Sequence, residues 1–363
     1  MSDQQFAGIF QGQLCLLRED GGQVLESQFG RSLRDRAIQS YNRNLWKTQG
    51  RGGQSLSRAL HTPAERDPSD FRIAITSVTR GRDPGQLLYT LETDEISGVF
   101  SRDAAGVEQR LFHTADFRAR HLDVSPDGCE IATSVHHRNG MANLAVLRAD
   151  GSDLNEVTDG ESVDEAPRWV PGPGRRLVFQ SAGMPHGPRG RAARLGPSSL
   201  QELDLDTGKI ACLAQAADFD FLWPRIASDG TLYYILRPYA GARPPVTGWD
   251  ALRDTVMLPF RIIWWIGMLA EAFASIRAGR QVPAPRESVL KVAATPSSWL
   301  LMRQPAQGAA EAETIASGVR SFDLSSDGSL IYSDGFDVYR IPADHGPAAK
   351  ILAGENIDLI AAL

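Results

Sequence analysis

The stretch HLDVSPDGCEIATSV, residues 121–135, decides the fold. It reads as a short strand, a tight turn and a second strand, because Asp followed by Gly supplies the positive φ that a hairpin turn requires. The same pattern recurs as PRWVPGPGRRLVFQSA from residue 167, PRIASDGTLYYILRP from 224 and SFDLSSDGSLIYSDG from 321. Asp127-Gly128, Asp229-Gly230 and Asp327-Gly328 are the turns, and Gly172-Pro173-Gly174 is a degenerate copy. Each pair is followed by a third alternating segment (ANLAVLRADG, SLQELDLDTG or FDVYRIPADHG) and a fourth short one (NEVT, KIACLA or AKILA). Four strands per repeated unit is the pattern of a propeller blade.

Residues 122–182, with VSPDG, NGMANLAVLRADGSDLNEVTDG and EAPRWVPGPGRRLVFQSAG, resemble the PD40 or WD40-like repeats of TolB-like β-propellers. Units at 71–116, 121–160, 167–216, 222–318 and 321–353 leave material at both ends. The C-terminal NIDLIAAL reads as an innermost strand whose blade is completed by FAGIFQ, GQLCLLRE and GQVLESQ from the N-terminus. The expectation is an all-β fold, a six-bladed β-propeller with five or seven blades as alternatives. Residues 1–363 form it as a single domain closed by the terminal strands. Residues 29–70 make a basic connector between blades, and 240–285 an inserted amphipathic helical segment in the fifth blade.

Composition agrees with a folded, turn-rich protein: 34 Gly and 21 Pro stand beside 42% hydrophobic and 23% charged residues among 363. The net charge of -6 argues against a general polyanion binder, so nucleic acid is not the expected partner. The opening MSDQQFAGIFQGQLCLLREDG lacks a basic n-region, and Gln11 and Gln13 interrupt its apolar run. Cys15, Cys129 and Cys212 are odd in number and form no CxxC pair. Both features lead to the expectation of a reducing, cytoplasmic location. The most apolar run, 256–276, is broken by Pro259, Arg261 and Glu271, so no membrane-spanning helix is expected.

In a four-stranded meander the b-to-c and d-to-a loops share one end. The b-to-c loop 183–197, the b-to-c insertion 240–285 and the d-to-a connection 29–70 are therefore expected on one face, where binding on a rigid scaffold usually resides. In the insertion, Leu258, Ile262, Trp265, Ile266, Leu269, Phe273 and Ile276 fall on one helical stripe. Arg261, Trp264 and Met268 lie on the other side as anchors for a protein partner. The Trp pair and flanking arginines also suit peripheral membrane contact through residues 256–277, and a lid over the propeller is the plainest alternative. Residues 31–60 hold seven basic residues against Asp35 alone, with Leu33, Ala37, Tyr41 and Leu45 at helical spacing behind a capping Ser32. Arg189, Arg191 and Arg194 add charge to the same face, which Asp159, Glu161, Asp164 and Glu165 could neutralise from within.

No GxSxG elbow, HExxH, GxxxxGK[ST] or helix-opening GxGxxG occurs, so no catalytic, cofactor-binding or metal-binding residue is assigned. His136 and His137 are adjacent in a strand and point to opposite faces, so both cannot readily hold one ion; His113, His121 and His186 fall in neighbouring blades. The lyases of pectin fragments also carry PD40-like propellers with a histidine-held metal, but the comparable segment here, SVDEAPRW, has no histidine. The sequence thus favours a non-catalytic scaffold that holds a protein partner on the loop-decorated face, using Arg261, Trp264, Trp265, Met268, Arg189, Arg191 and Arg194. The rival is a lyase or hydrolase acting on a small sugar or metabolite at the channel mouth, with His137 and Asp164 from different blades.

Overall fold

The computed structural model describes residues 6–18, 21–48, 72–184, 195–241, 295–307, 311–353 and 357–363, with side chains of 44–48 left aside. These belong to the unit formed by 1–239 and 294–363; a second unit, 240–293, lies outside them but for Ala240 and Gly241.

Apart from one helix, the regular structure of the described residues is β-strand, paired almost wholly antiparallel. β1 (Phe6–Phe10), β2 (Gln13–Arg18) and β3 (Gly21–Leu25) form a meander, and β24 (Ile357–Ala362) pairs antiparallel with β1 to complete a four-stranded sheet. β4 (Ile73–Arg80), β5 (Leu87–Thr93), β6 (Ser97–Arg102) and β7 (Glu108–Thr114) make the next. β8 (Phe117–Val124), β9 (Glu130–His137), β10 (Ala142–Arg148) and β11 (Asn155–Glu156) make another meander. A single parallel bridge, Ala142 to Val163, joins it to β12 (Ser162–Trp169), β13 (Arg176–Gly183), β14 (Ser199–Asp204) and β15 (Lys209–Ala214). β16 (Phe219–Ile226), β17 (Thr231–Pro238), β18 (Leu300–Pro305) and β19 (Glu313–Ser317) follow, then β20 (Ser321–Leu324), β21 (Leu330–Ser333), β22 (Asp337–Ile341) and β23 (Ala349–Ala353).

The repeated hairpins share one turn. Gly128, Gly230 and Gly328 adopt φ of 71°, 83° and 80°, and each donates its N–H to the residue three back, Ser125, Ala227 or Ser325. Asp127, Asp229 and Asp327 then accept the N–H two residues on, from Cys129, Thr231 and Ser329 at 2.9–3.0 Å. The carboxylate fixes the turn and the glycine admits its left-handed residue, so this four-residue signature sets the register locally.

Every sheet buries apolar side chains against the next. Leu88, Val99, Ala119, Leu122 and Ile131 join β4–β7 to β8–β11, and Val178, Leu200, Phe221 and Leu232 join β12–β15 to β16–β19. Phe6, Leu17, Ile331, Val338 and Ile360 bring β20–β23 to the sheet that contains both termini, which packs in turn on β4–β7 through Ile9, Leu14, Ile75 and Leu91. The sheets thus close a ring, in which β4, β8, β12, β16, β20 and β24 touch successively around the centre.

Helix α1 (Gln28–Thr48) corrects one expectation: Ser27, and not Ser32, caps it. The Ser27 hydroxyl accepts the Gly30 N–H at 3.1 Å, whereas Ser32 donates back to the Phe29 carbonyl. The first turn has no acid of its own, and Glu108 from β7 supplies one, accepting the N–H groups of Gln28 and Phe29 at 3.1 and 2.9 Å. Phe29, Leu33, Ala37 and Tyr41 are half-buried, while Arg31, Arg34, Arg36 and Arg43 are exposed.

Candidate functional site

The inner strands begin earlier than the repeat motif suggests. β8, β12 and β16 run through Phe117, Ser162 and Phe219, past the motif starts at His121, Pro167 and Pro224. The cause is a bulge in each, between Arg120 and Asp123, Glu165 and Arg168, and Leu222 and Arg225. At its start His121, Ala166 and Trp223 take φ of 57°, 52° and 56°, a left-handed state rare for such residues. The bulge breaks the two-residue alternation, which is why Asp164 and Glu165 read as loop residues while the structure places them in β12.

Three bulge-region side chains and their neighbours gather towards the centre. His136 Nε2 lies 3.5 Å from Glu165 Oε1. The His121 ring stands edge-on to Trp223, centroids 5.1 Å apart, with its Nδ1 3.2 Å from Ser134 Oγ. Gln180 Nε2 donates to Glu165 Oε2 at 3.0 Å, and Gln180 Oε1 accepts the Trp223 N–H at 2.9 Å. Arg120 is engaged elsewhere, giving two bonds to Glu92 at 2.7 and 3.0 Å. Burial lowers the imidazoles, to about 3 for His121 and about 4 for His136, with Arg120 adding to both, and the same burial raises the Glu165 carboxyl. At neutral pH the site therefore presents two uncharged imidazoles beside a carboxyl in a poorly solvated position.

At the hairpin-turn end of the same strands, Arg168, Arg225, Asp123 and Asp323 line a cavity of about 390 Å³. Arg168 donates to the Leu122 carbonyl at 2.7 Å and to Asp123 at 3.0 Å, and Arg225 donates to Asp323 at 2.7 Å. At the opposite end, Asp220 is buried, accepting the Ser198 N–H and a hydrogen bond from Arg237 Nε, each at 3.0 Å. Arg237 stacks over Trp299 at 5.0 Å, and the Tyr239 hydroxyl donates to the Leu195 carbonyl. The described bases of the β13–β14 and β17–β18 connections are therefore joined, at Leu195 and Ser198 on one side and Tyr239 and Asp220 on the other.

Arg261, Trp264, Trp265, Met268, Arg189, Arg191 and Arg194 all lie outside the described residues, as does the helical segment expected at 240–285 beyond Gly241. His137 and Asp164 are not brought together: His137 meets Glu156 at 3.0 Å and Asp164 accepts the Ser181 hydroxyl at 2.7 Å. His136 and His137 do face opposite ways. Sequence reasoning read Glu165 only as a neutralising carboxylate and did not single out Gln180 or Trp223; for Glu165 the signal was SVDEAPRW itself, which offers a carboxylate where a histidine was sought.

No known protein-family profile matches the chain, and no curated protein matches it. Solved structures do. TolB from Acinetobacter baumannii is similar over 99% of this chain at 11% identity and a TM-score of 0.54, and this chain spans 66% of that protein's length. A chain of a nidogen–laminin complex is similar over 99% of this chain and 98% of its own, at 8% identity and a TM-score of 0.54. Repeated Asp-Gly hairpins, a ring of four-stranded meanders and this likeness together give the chain the fold of a TolB-like β-propeller.

Proposed function

We propose that this protein is a six-bladed propeller scaffold that holds a protein partner on the face carrying its long loops. The observation that carries the reading is the paired departure of the β13–β14 and β17–β18 connections, tied at their bases by Tyr239 to Leu195 and by Asp220 to Ser198 and Arg237. A rigid ring that ties together the bases of two long connections suits recognition of a large surface more than turnover of a small molecule. One structural neighbour comes from a complex of two proteins, nidogen and laminin, which supports the same direction. The composite sheet β24-β1-β2-β3 supports a six-blade count and a single closed domain. Arg261, Trp264, Trp265 and Met268 would serve as anchors, and Arg189, Arg191 and Arg194 as a charged rim. Three free thiols, Cys129 and Cys212 of them exposed, support a reducing cytoplasmic compartment.

The test is purification of the tagged protein from its native host beside a variant lacking residues 246–283, with bound proteins identified by mass spectrometry. The reading expects one protein in stoichiometric amount with the full chain, absent from a deletion whose circular dichroism is unchanged. A partner retained by the folded deletion, or none with either form, overturns the assignment to this loop.

A further inference from the structure

His121 on β8, His136 on β9 and Glu165 on β12 come from two adjacent meanders, and each offers a ligand atom within 4.8 Å of the others. His136 Nε2 is buried and has no hydrogen-bond partner, since Glu165 Oε1 at 3.5 Å is too far to accept a proton well. That separation is instead close to the edge of a metal tetrahedron, about 3.4 Å for bonds of about 2.1 Å.

We propose that His121, His136 and Glu165 bind one first-row divalent cation, zinc foremost, in the centre of the ring. Two imidazole nitrogens and one carboxylate oxygen with no thiolate suit such an ion, and three protein ligands leave a coordination position for water or a ligand. The surroundings are those that orient metal ligands. Gln180 holds Glu165 Oε2 and is itself held by the Trp223 N–H, while Ser134 Oγ fixes the His121 ring. Arg120, a cation near the cluster, is paired by its two bonds to Glu92. The left-handed backbone at His121 turns its side chain into this cluster, an expense of strain that positions met at ligand sites commonly carry.

Untagged full-length protein, stripped with EDTA and dialysed, is titrated with zinc chloride by calorimetry and its bound metal counted by elemental analysis; manganese and calcium chlorides are run in parallel. One zinc per chain is expected, weaker manganese uptake, and no calcium uptake. His136→Gln and Glu165→Gln should each weaken zinc by at least about 100-fold and Gln180→Ala by about tenfold, whereas His137→Gln, on the opposite face, should leave it unchanged. No uptake by the wild type, or equal uptake by His136→Gln and Glu165→Gln, overturns the site. Should those variants misfold, cobalt bound to the wild type decides: visible bands without a thiolate charge-transfer band support the site, and a thiolate band moves the metal to the cysteines and overturns it.

Discussion

Arg168 reaches from β12 into the neighbouring meander, where its guanidinium sits 3.0 Å from Asp123 Oδ1. Asp123 Oδ2 accepts the Trp169 N–H at 2.8 Å, so the carboxylate is held twice by one sheet. Asp323 does the same for two other junctions, taking Arg225 Nε and the Ala362 N–H at 3.1 Å. Buried polar links near the centre thus add to the apolar contacts that join neighbouring sheets.

Removing Arg168 leaves the Asp123 carboxyl and the Leu122 carbonyl beside it without their buried donor. Arg168→Met is expected to destabilise by about 3–5 kcal/mol. Asp123→Asn should cost less, because the amide oxygen still accepts the Trp169 N–H. Urea midpoints of the two variants check the order, and equal effects would refute it.

The left-handed glycines separate strain from collision. A Cβ at Gly230 meets nothing within 4 Å, so Gly230→Ala should cost about 1 kcal/mol from its φ of 83° alone. At Gly151, φ 88°, a Cβ would overlap the Leu111 carbonyl oxygen and carbon, and Gly151→Ala should lower the thermal midpoint clearly further.

Cys15, on β2, is buried where the sheet containing both termini meets β20–β23, among Leu17, Val338, Ile357 and Ile360, whereas Cys129 and Cys212 are exposed. A thiol reagent should modify two cysteines of the native protein and the third only on unfolding. Ile360→Ala empties part of that cluster, at a cost of about 2–5 kcal/mol, and should accelerate labelling of Cys15. Rapid reaction of all three thiols in the wild type would contradict this packing.

His136, lowered to about 4, gives a signed pH effect in the metal-free protein. Between that value and the ordinary 6.5, the unfolded chain binds the extra proton, so the contribution to stability rises with pH and is lost on acidification. Asp123, raised by burial to about 7, acts in the opposite direction and masks the effect in the wild type alone. The comparison with His136→Gln removes it: from pH 7 to pH 5 the wild type should lose about 2 kcal/mol more than the variant. A parallel decline of both proteins would show that His136 does not titrate from this environment.

Much of the architecture was legible because a hairpin is a local object. The Asp-Gly turns at 127, 229 and 327 and the alternation in ANLAVLR or LQELD carry their conformation within a few residues, so strands and turns followed from the sequence. The resemblance in residues 122–182 then pointed to the right fold. The candidate site was not legible in the same way. A left-handed φ at His121, Ala166 or Trp223 is encoded by no local preference; it is imposed where an inner strand must bend to fit its neighbours. Only that bend, with the packing of one meander on the next, brings Glu165 to His136 and Gln180 to Trp223. The cap of α1 teaches the same point, since the acid that completes it comes from β7. Sequence by itself determined the elements, through forces that act between near neighbours. The tertiary structure decided which side chains meet, because closing a ring of sheets is a condition on the whole chain.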